Sequence, residues 1–155
     1  MLEWQRDGYV ISTDRARLDV GVIHFFLTTC YWANGIPRDV VERSIANSLN
    51  FGIYKGSEQA GFARVITDYA TYAYIADVFV LPEYRGRHLA VWLVQVISEH
   101  PELQGLRRWG LLTKDAHDLY KKVGFVQVTD AARYMEKTFP GIYRISRTST
   151  TADAG

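Results

Sequence analysis

Between Asp77 and Ala90 the chain reads Asp-Val-Phe-Val-Leu-Pro-Glu-Tyr-Arg-Gly-Arg-His-Leu-Ala. A strand-forming run enters a short Arg/Gly turn, and the turn leads directly into an apolar run of helical character. A helix start carries unpaired backbone N–H groups and the positive end of the helix dipole, which together make an anion site. Gly86 lets the backbone turn tightly, and Arg85 and Arg87 bring planar donors suited to phosphate oxygens. The glycine spacings of the dinucleotide fingerprint and of the P-loop are both missing. Taken alone, the turn reads equally as a plain strand-to-helix connection with solvated arginines.

The elements that must position this turn follow from periodicity and turn chemistry. Residues 8–12 form a short apolar run that fits a first strand. Residues 20–30 place Val20, Ile23, His24 and Leu27 on one face at helical spacing, with Asp19 as N-cap. Pro37 opens a second helix whose apolar stripe is Val40, Val41, Ile45 and Leu49. Residues 51–55 and 59–67 flank Gly56-Ser57, a tight-turn dipeptide, and predict a hairpin. Residues 71–80 predict a third strand of the middle region, ending before Pro82. Residues 89–97 predict a buried helix that stops before Pro101. A strand over 108–113, a helix over 115–123 and a last strand opening at Gly124-Phe125-Val126 complete the order β-α-α-β-β-β-α-β-α-β. The expected fold is α/β (α+β), a mixed, mostly antiparallel twisted sheet with helices on both faces.

Composition narrows the function classes. The chain has 155 residues, 48% hydrophobic and 23% charged, as expected of one globular domain and not of a disordered or collagen-like chain. Eighteen Lys and Arg against seventeen Asp and Glu give a net charge of +1, without the basic excess usual in a nucleic-acid binder. Cys30 is the single cysteine, so no intrachain disulfide forms and a reducing, cytoplasmic address is expected. The start of the chain lacks the apolar centre of a signal peptide, and no apolar run approaches the ~20 residues of a membrane span. The few cysteines and histidines have no metal-ligand spacing, so no metal is expected. Residues 1–145 are expected to form one domain and residues 146–155 a polar, flexible tail.

Two segments carry a family resemblance. Val80-Leu81-Pro82-Glu83-Tyr84-Arg85-Gly86, with Ala90, resembles motif A of the GNAT superfamily of acyl-CoA-dependent N-acetyltransferases. Ala116-His-Asp-Leu-Tyr-Lys-Lys-Val-Gly-Phe125 resembles that family's closing Ala-x-x-Leu-Tyr-x-x-x-Gly-Phe signature. Order and separation of the two segments also match, and the resemblance runs from about residue 8 to residue 128. It implies that the strand carrying Val78, Phe79 and Val80 splays from its neighbour and offers backbone groups to the pantetheine arm and thioester. It implies that Arg85, Gly86, Arg87, His88, Leu89 and Ala90 cradle the pyrophosphate. It makes Tyr120 the general acid that protonates the departing thiolate, a task that suits a phenol protonated at neutral pH; packed with Leu119 and Phe125, the same ring also reads as core.

Two positions depart from the family pattern. His88 stands where motif A has a glycine, and is expected to donate to phosphate. Thr113 stands where many relatives have an asparagine that contacts the pantetheine arm. The general base is open. Asp77 either holds a substrate ammonium and accepts its proton through water, or pairs with a nearby arginine. Tyr74 is a second candidate for the acceptor site. Strand alternation puts Tyr72, Tyr74 and Val78 on one face and Ala73, Ile75 and Asp77 on the other. Tyr31 and Trp32, in the loop that the resemblance places over the acceptor, either shape that pocket or pack. His24 reads as a hydrogen-bonded core histidine, His100 as a helix-end residue, His117 as exposed and Cys30 as a small buried hydrophobe.

The expected function is N-acetyl transfer from acetyl-CoA to a primary amine by direct attack in a ternary complex. The expected partners are acetyl-CoA and a small-molecule or peptide amine, with no nucleic acid and no membrane, and a homodimer is one admissible assembly. A catalytically weak CoA-binding module and an aromatic-rich interaction domain without a ligand are the competing readings.

Overall fold

The computed structural model describes residues 1–144. Six strands form one sheet in the order of the sequence: β1 (Glu3–Arg6), β2 (Tyr9–Ser12), β3 (Leu49–Lys55), β4 (Glu58–Thr67), β5 (Tyr72–Val80) and β6 (Arg108–Leu111). The first five pair antiparallel, and β6 pairs parallel with β5. A parallel pair needs a crossover, which α3 (Leu89–Ser98) supplies. The helices α1 (Val20–Thr29) and α2 (Arg38–Ala46) lie between β2 and β3, and the short α4 (His117–Lys121) follows β6. None of the helices among the described residues is long and apolar enough to cross a membrane.

Each face of the sheet has its own core. Leu89, Trp92, Leu93, Val96 and Ile97 of α3 pack with Ile11, Phe51, Ile53, Val65 and Ile75. On the other face Ile23 and Leu27 of α1 and Val41 and Ile45 of α2 pack with Phe62 and Phe79. The mixed, mostly antiparallel sheet with helices on both faces is therefore present. Asp19 caps α1, its carboxylate accepting from the Val22 N–H at 3.1 Å. His24 meets the Ile36 carbonyl at 3.0 Å, and Cys30 Sγ donates to the Leu27 carbonyl at 3.1 Å.

The ends of the expected element order differ. A strand, β1, precedes the first expected one and pairs with it as a hairpin: Asp7 (φ 51) and Gly8 (φ 78), the latter expected in the strand, form the turn between Arg6 and Tyr9. Both central residues have positive φ, the type I′ geometry that an Asp-Gly pair favours. Leu49 is not on α2; that helix ends at Ala46, where the Asn50 side chain donates to the Ile45 carbonyl at 2.8 Å, and Leu49 opens β3. No strand forms at Gly124-Phe125-Val126: Phe125 donates to the Tyr120 carbonyl at 3.2 Å, and Val126 is 78% exposed. His117 is half-buried, not exposed. The stretch 146–155, expected as a tail, lies outside the described residues.

Candidate active site

The pairing of β5 with β6 runs from Tyr72–Arg108 to Ile75–Leu111 and stops. Beyond that point β5 follows β4 to Val80, while the chain after β6 turns away through Leu112 and Thr113 toward α4. The strands part, and a cleft of about 940 Å³ opens between them. Its walls include Tyr31, Trp32, Tyr74, Asp77, Val78, Phe79, Val80, Arg85, Thr113 and Tyr120. One space thus collects residues from the α1–α2 loop, β5, the turn after β5, and α4.

A β-bulge sets which side chains reach it. Phe62 pairs with Phe79 and Arg64 with Ala76, so one residue of β4 opposes two of β5. Asp77 occupies the bulge at φ 55, the left-handed region. The extra residue shifts the alternation. Val78 joins Ala73 and Ile75 in the α3 core, while Asp77 turns into the cleft with Tyr74. This corrects the expected pairing of faces, which assumed an unbroken strand.

Each carboxylate oxygen of Asp77 meets a protein donor. Arg64 Nε lies 2.5 Å from its Oδ2, and the Trp32 indole Nε1 donates to Oδ1 at 3.0 Å. Arg64 also donates to the Ser48 hydroxyl at 3.2 Å. The two side chains of the ion pair are only 11% and 17% exposed, so solvent screens the pair weakly. The alternative in which Asp77 pairs with an arginine is the arrangement present here. Sequence reasoning missed Arg64, which gives no signal within an ordinary strand pattern; its meaning comes only from standing opposite the bulge. Phe26 was missed as well. It stacks on Phe79 with ring centroids 3.9 Å apart and lines the cleft.

Tyr120 is 7% exposed, with Phe125 edge-on at 5.9 Å between ring centroids. Burial, with a smaller contribution from neighbouring Tyr31, pushes its phenol up to about 12. The ring lines the main cleft and also a smaller one of about 260 Å³ beside Trp109 and Phe125. A phenol held protonated in a half-dry wall can give a proton to a group in the cleft. Thr113 is committed locally: its hydroxyl accepts from the Ala116 N–H at 3.0 Å just before α4. Burial also raises Tyr74, with smaller contributions from Tyr134, Tyr72 and Asp77.

At the other end, Arg85 Nε donates to the Val80 carbonyl at 3.0 Å, and Arg87 folds back on the Glu83 and Arg85 carbonyls at 3.3 and 3.4 Å. These bonds brace the turn from within. Gly86 at φ 81 and His88 at φ 59 are both left-handed, and His88 ends the turn as the N-cap of α3 without a side-chain capping bond. Among the described residues no acceptor meets the backbone N–H groups from Gly86 to Val91. The turn is exposed from Arg85 to His88, while Leu89 is buried in the α3 core. Only Arg85 of this turn reaches the cleft wall; Gly86, Arg87, His88, Leu89 and Ala90 lie beyond it.

The parted strands, the helix start with open donors and the buried tyrosine across the gap belong to a chain whose family sequence comparison identifies. Residues 46–127, more than half of the chain, match the family model described as "Acetyltransferase (GNAT) domain". The chain belongs to the GNAT acetyltransferase family. It is 34% identical over 142 residues to a Gibberella zeae protein provisionally named acetyltransferase FG08082, covering 77% of this chain and 79% of that one. A crystal structure from Xanthomonas campestris pv. campestris, provisionally named a GNAT-family acetyltransferase, is 48% identical with a TM-score of 0.85, covering 87% of this chain and 96% of that one. A Clostridium acetobutylicum structure crystallised with acetyl-CoA shares the fold, with a TM-score of 0.61 at 14% identity, covering 84% of this chain and 94% of that one.

Proposed function

We propose that the protein transfers the acetyl group of acetyl-CoA to the nitrogen of a primary amine, with both substrates held in the cleft together. The observation that carries this reading is the opening between β5 and β6, with open N–H donors beyond one end and buried Tyr120 in its wall. The donors of residues 86–91 suit a pyrophosphate, and His88 adds an imidazole at their edge. The backbone of Val78, Phe79 and Val80 faces the pantetheine arm and thioester, and Thr113 borders the same path. The amine nitrogen attacks the thioester carbon; the C–N bond forms, the C–S bond breaks, and the sulfur takes the Tyr120 proton. The surplus amine proton leaves to water, and water returns a proton to the Tyr120 phenolate. Asp77, with both oxygens occupied, serves by fixing Trp32 and Arg64 and not by taking that proton directly.

The occupied state of Asp77 also favours the second reading, a CoA-binding module with weak catalysis. Both readings require binding, so the first test is thermal. A ligand that binds only the folded state at a hundred times its Kd stabilises by about 2.7 kcal/mol. Acetyl-CoA is expected to raise Tm by several degrees, and an unchanged Tm at millimolar acetyl-CoA overturns the assignment. Thiol release with an amine panel then separates an enzyme from a binding module.

A further inference from the structure

We propose that the acceptor is a primary amine carrying an aromatic or comparably bulky apolar group close to its nitrogen. This rests on the acetyl-transfer reading above and assigns the other half of its site. Arg85 and Val80 mark the end of the cleft nearest the open N–H row, and Tyr74 lies roughly 20 Å back along an extended strand. The side chains gathered between those ends, around Asp77 and Phe79, are rings. Tyr31 stands edge-on to Trp32 at 5.2 Å between centroids, and Phe26 lies 6.1 Å from Trp32. Tyr31 is 65% exposed and Trp32 43% exposed, although both line the cleft. Apolar ring surface left facing a concave space is surface that a ligand can cover.

Charge excludes the competing amine classes. Among the described residues the one carboxylate deep in this part of the cleft, Asp77, is neutralised by Arg64 and capped by Trp32. A polyamine would bring a second ammonium with no buried carboxylate to meet it. An amine bearing phosphate or carboxylate would find Arg64 already paired; among the described residues the remaining charges there are Lys114, whose ammonium lies 5.3 Å from the Tyr31 ring centroid, and Asp115, both exposed and opposite in sign. Affinity must then come from ring contact. The indole is well placed for it, because its bond to Asp77 holds the ring before any ligand arrives.

The test compares 2-phenylethylamine and benzylamine with spermidine and free lysine by CoA release, alongside Tm with acetyl-CoA. Catalytic efficiency is expected to favour the aryl amines by at least about tenfold. Trp32→Ala should raise KM for 2-phenylethylamine about tenfold and leave KM for acetyl-CoA unchanged. Trp32→Phe should keep most of the affinity, which guards against a mere folding defect in the alanine variant. If acetyl-CoA shifts Tm but spermidine or lysine is preferred, the acceptor assignment fails alone; if acetyl-CoA shifts Tm and no amine of the panel is turned over, the acetyl-transfer reading gives way to the CoA-binding module and this assignment falls with it. If acetyl-CoA leaves Tm unchanged, the acetyl-transfer reading fails and takes this assignment with it.

Discussion

Beyond the Arg85 end of the cleft the polar groups presented are backbone N–H groups, arranged by two left-handed residues and braced by arginine side chains. At the Trp32 end they are side chains from three separate elements: Trp32 from the α1–α2 loop, Arg64 from β4, Asp77 from the β5 bulge. The contrast fits two different tasks. A cofactor shared by many enzymes can be held by backbone, which survives changes of side chain. An acceptor peculiar to one enzyme must be recognised by side chains, which can vary without touching the cofactor site. The two ends should therefore fail independently when mutated, with Tyr120 as the group that joins them.

The largest expected effect is at that junction. Tyr120→Phe removes the proton donor and keeps the ring against Phe125. Turnover should fall on the order of a hundredfold, the lower part of the range for general acid catalysis because a thiolate leaves fairly well unaided. Acetyl-CoA should raise Tm by the same amount as in the parent. Because burial lifts the phenol to about 12, the wild-type profile should show no loss of activity from Tyr120 ionisation at ordinary assay pH. The same shift has a stability sign: the folded state holds this proton more tightly than the unfolded chain. The contribution is complete below pH 10, the ordinary value, and is lost as pH rises through about 12. A Tyr120→Phe variant with full turnover would make the ring a packing residue.

A smaller effect is expected at the acceptor end alone. Arg64→Met leaves the Asp77 carboxylate without its countercharge at a site where water screens poorly. Denaturant unfolding should show a loss of roughly 2 kcal/mol, below the range for fully buried pairs because this one keeps some solvent contact. Adding Asp77→Asn should recover part of that loss, since no uncompensated charge remains and Asn tolerates the left-handed backbone. The acetyl-CoA shift of Tm should persist in both variants. If it disappears, the two ends are coupled and the comparison above is wrong.

How much of this was legible in the sequence follows the same division. The Arg85 end was readable because it is local: strand, turn and helix start are contiguous, and each residue type has a backbone reason to be there. Tyr120 was singled out through its motif, and its ring lines the cleft. The Trp32 end was readable in part: Tyr31, Trp32, Tyr74 and Asp77 were singled out and line the cleft, but Arg64 was missed because it meets Asp77 only across a register shift, and counting alternate residues along an unbroken strand sent Asp77 to the wrong face. The Asp7-Gly8 hairpin was available as a turn signal and went unused. The last strand failed for a different reason: Val126 and Val128 have strand-forming side chains, but the chain bonds back to α4 at Phe125 and leaves both exposed. Propensity alone does not supply a partner.

The smallest expected effect tests whether the Arg85 end is held by backbone. His88 sits at φ 59 and ψ 25, where a Cβ costs roughly 1 kcal/mol, and its side chain makes no capping bond. Glycine removes that strain but brings a more flexible unfolded chain, so the two contributions partly cancel. His88→Gly is expected to gain about 0.5 kcal/mol, or one to two degrees in Tm for a chain of this size. His88→Ala keeps the strain and should gain nothing. If backbone donors carry the pyrophosphate, acetyl-CoA affinity should stay within about twofold of the parent in His88→Gly, since the N–H row is unchanged. If the imidazole itself grips phosphate, both variants lose affinity together, by about tenfold for one charge-assisted hydrogen bond. That outcome would move part of the cofactor site from backbone to side chain, and the glycine missing from the motif would then be a gained contact and not merely a tolerated residue.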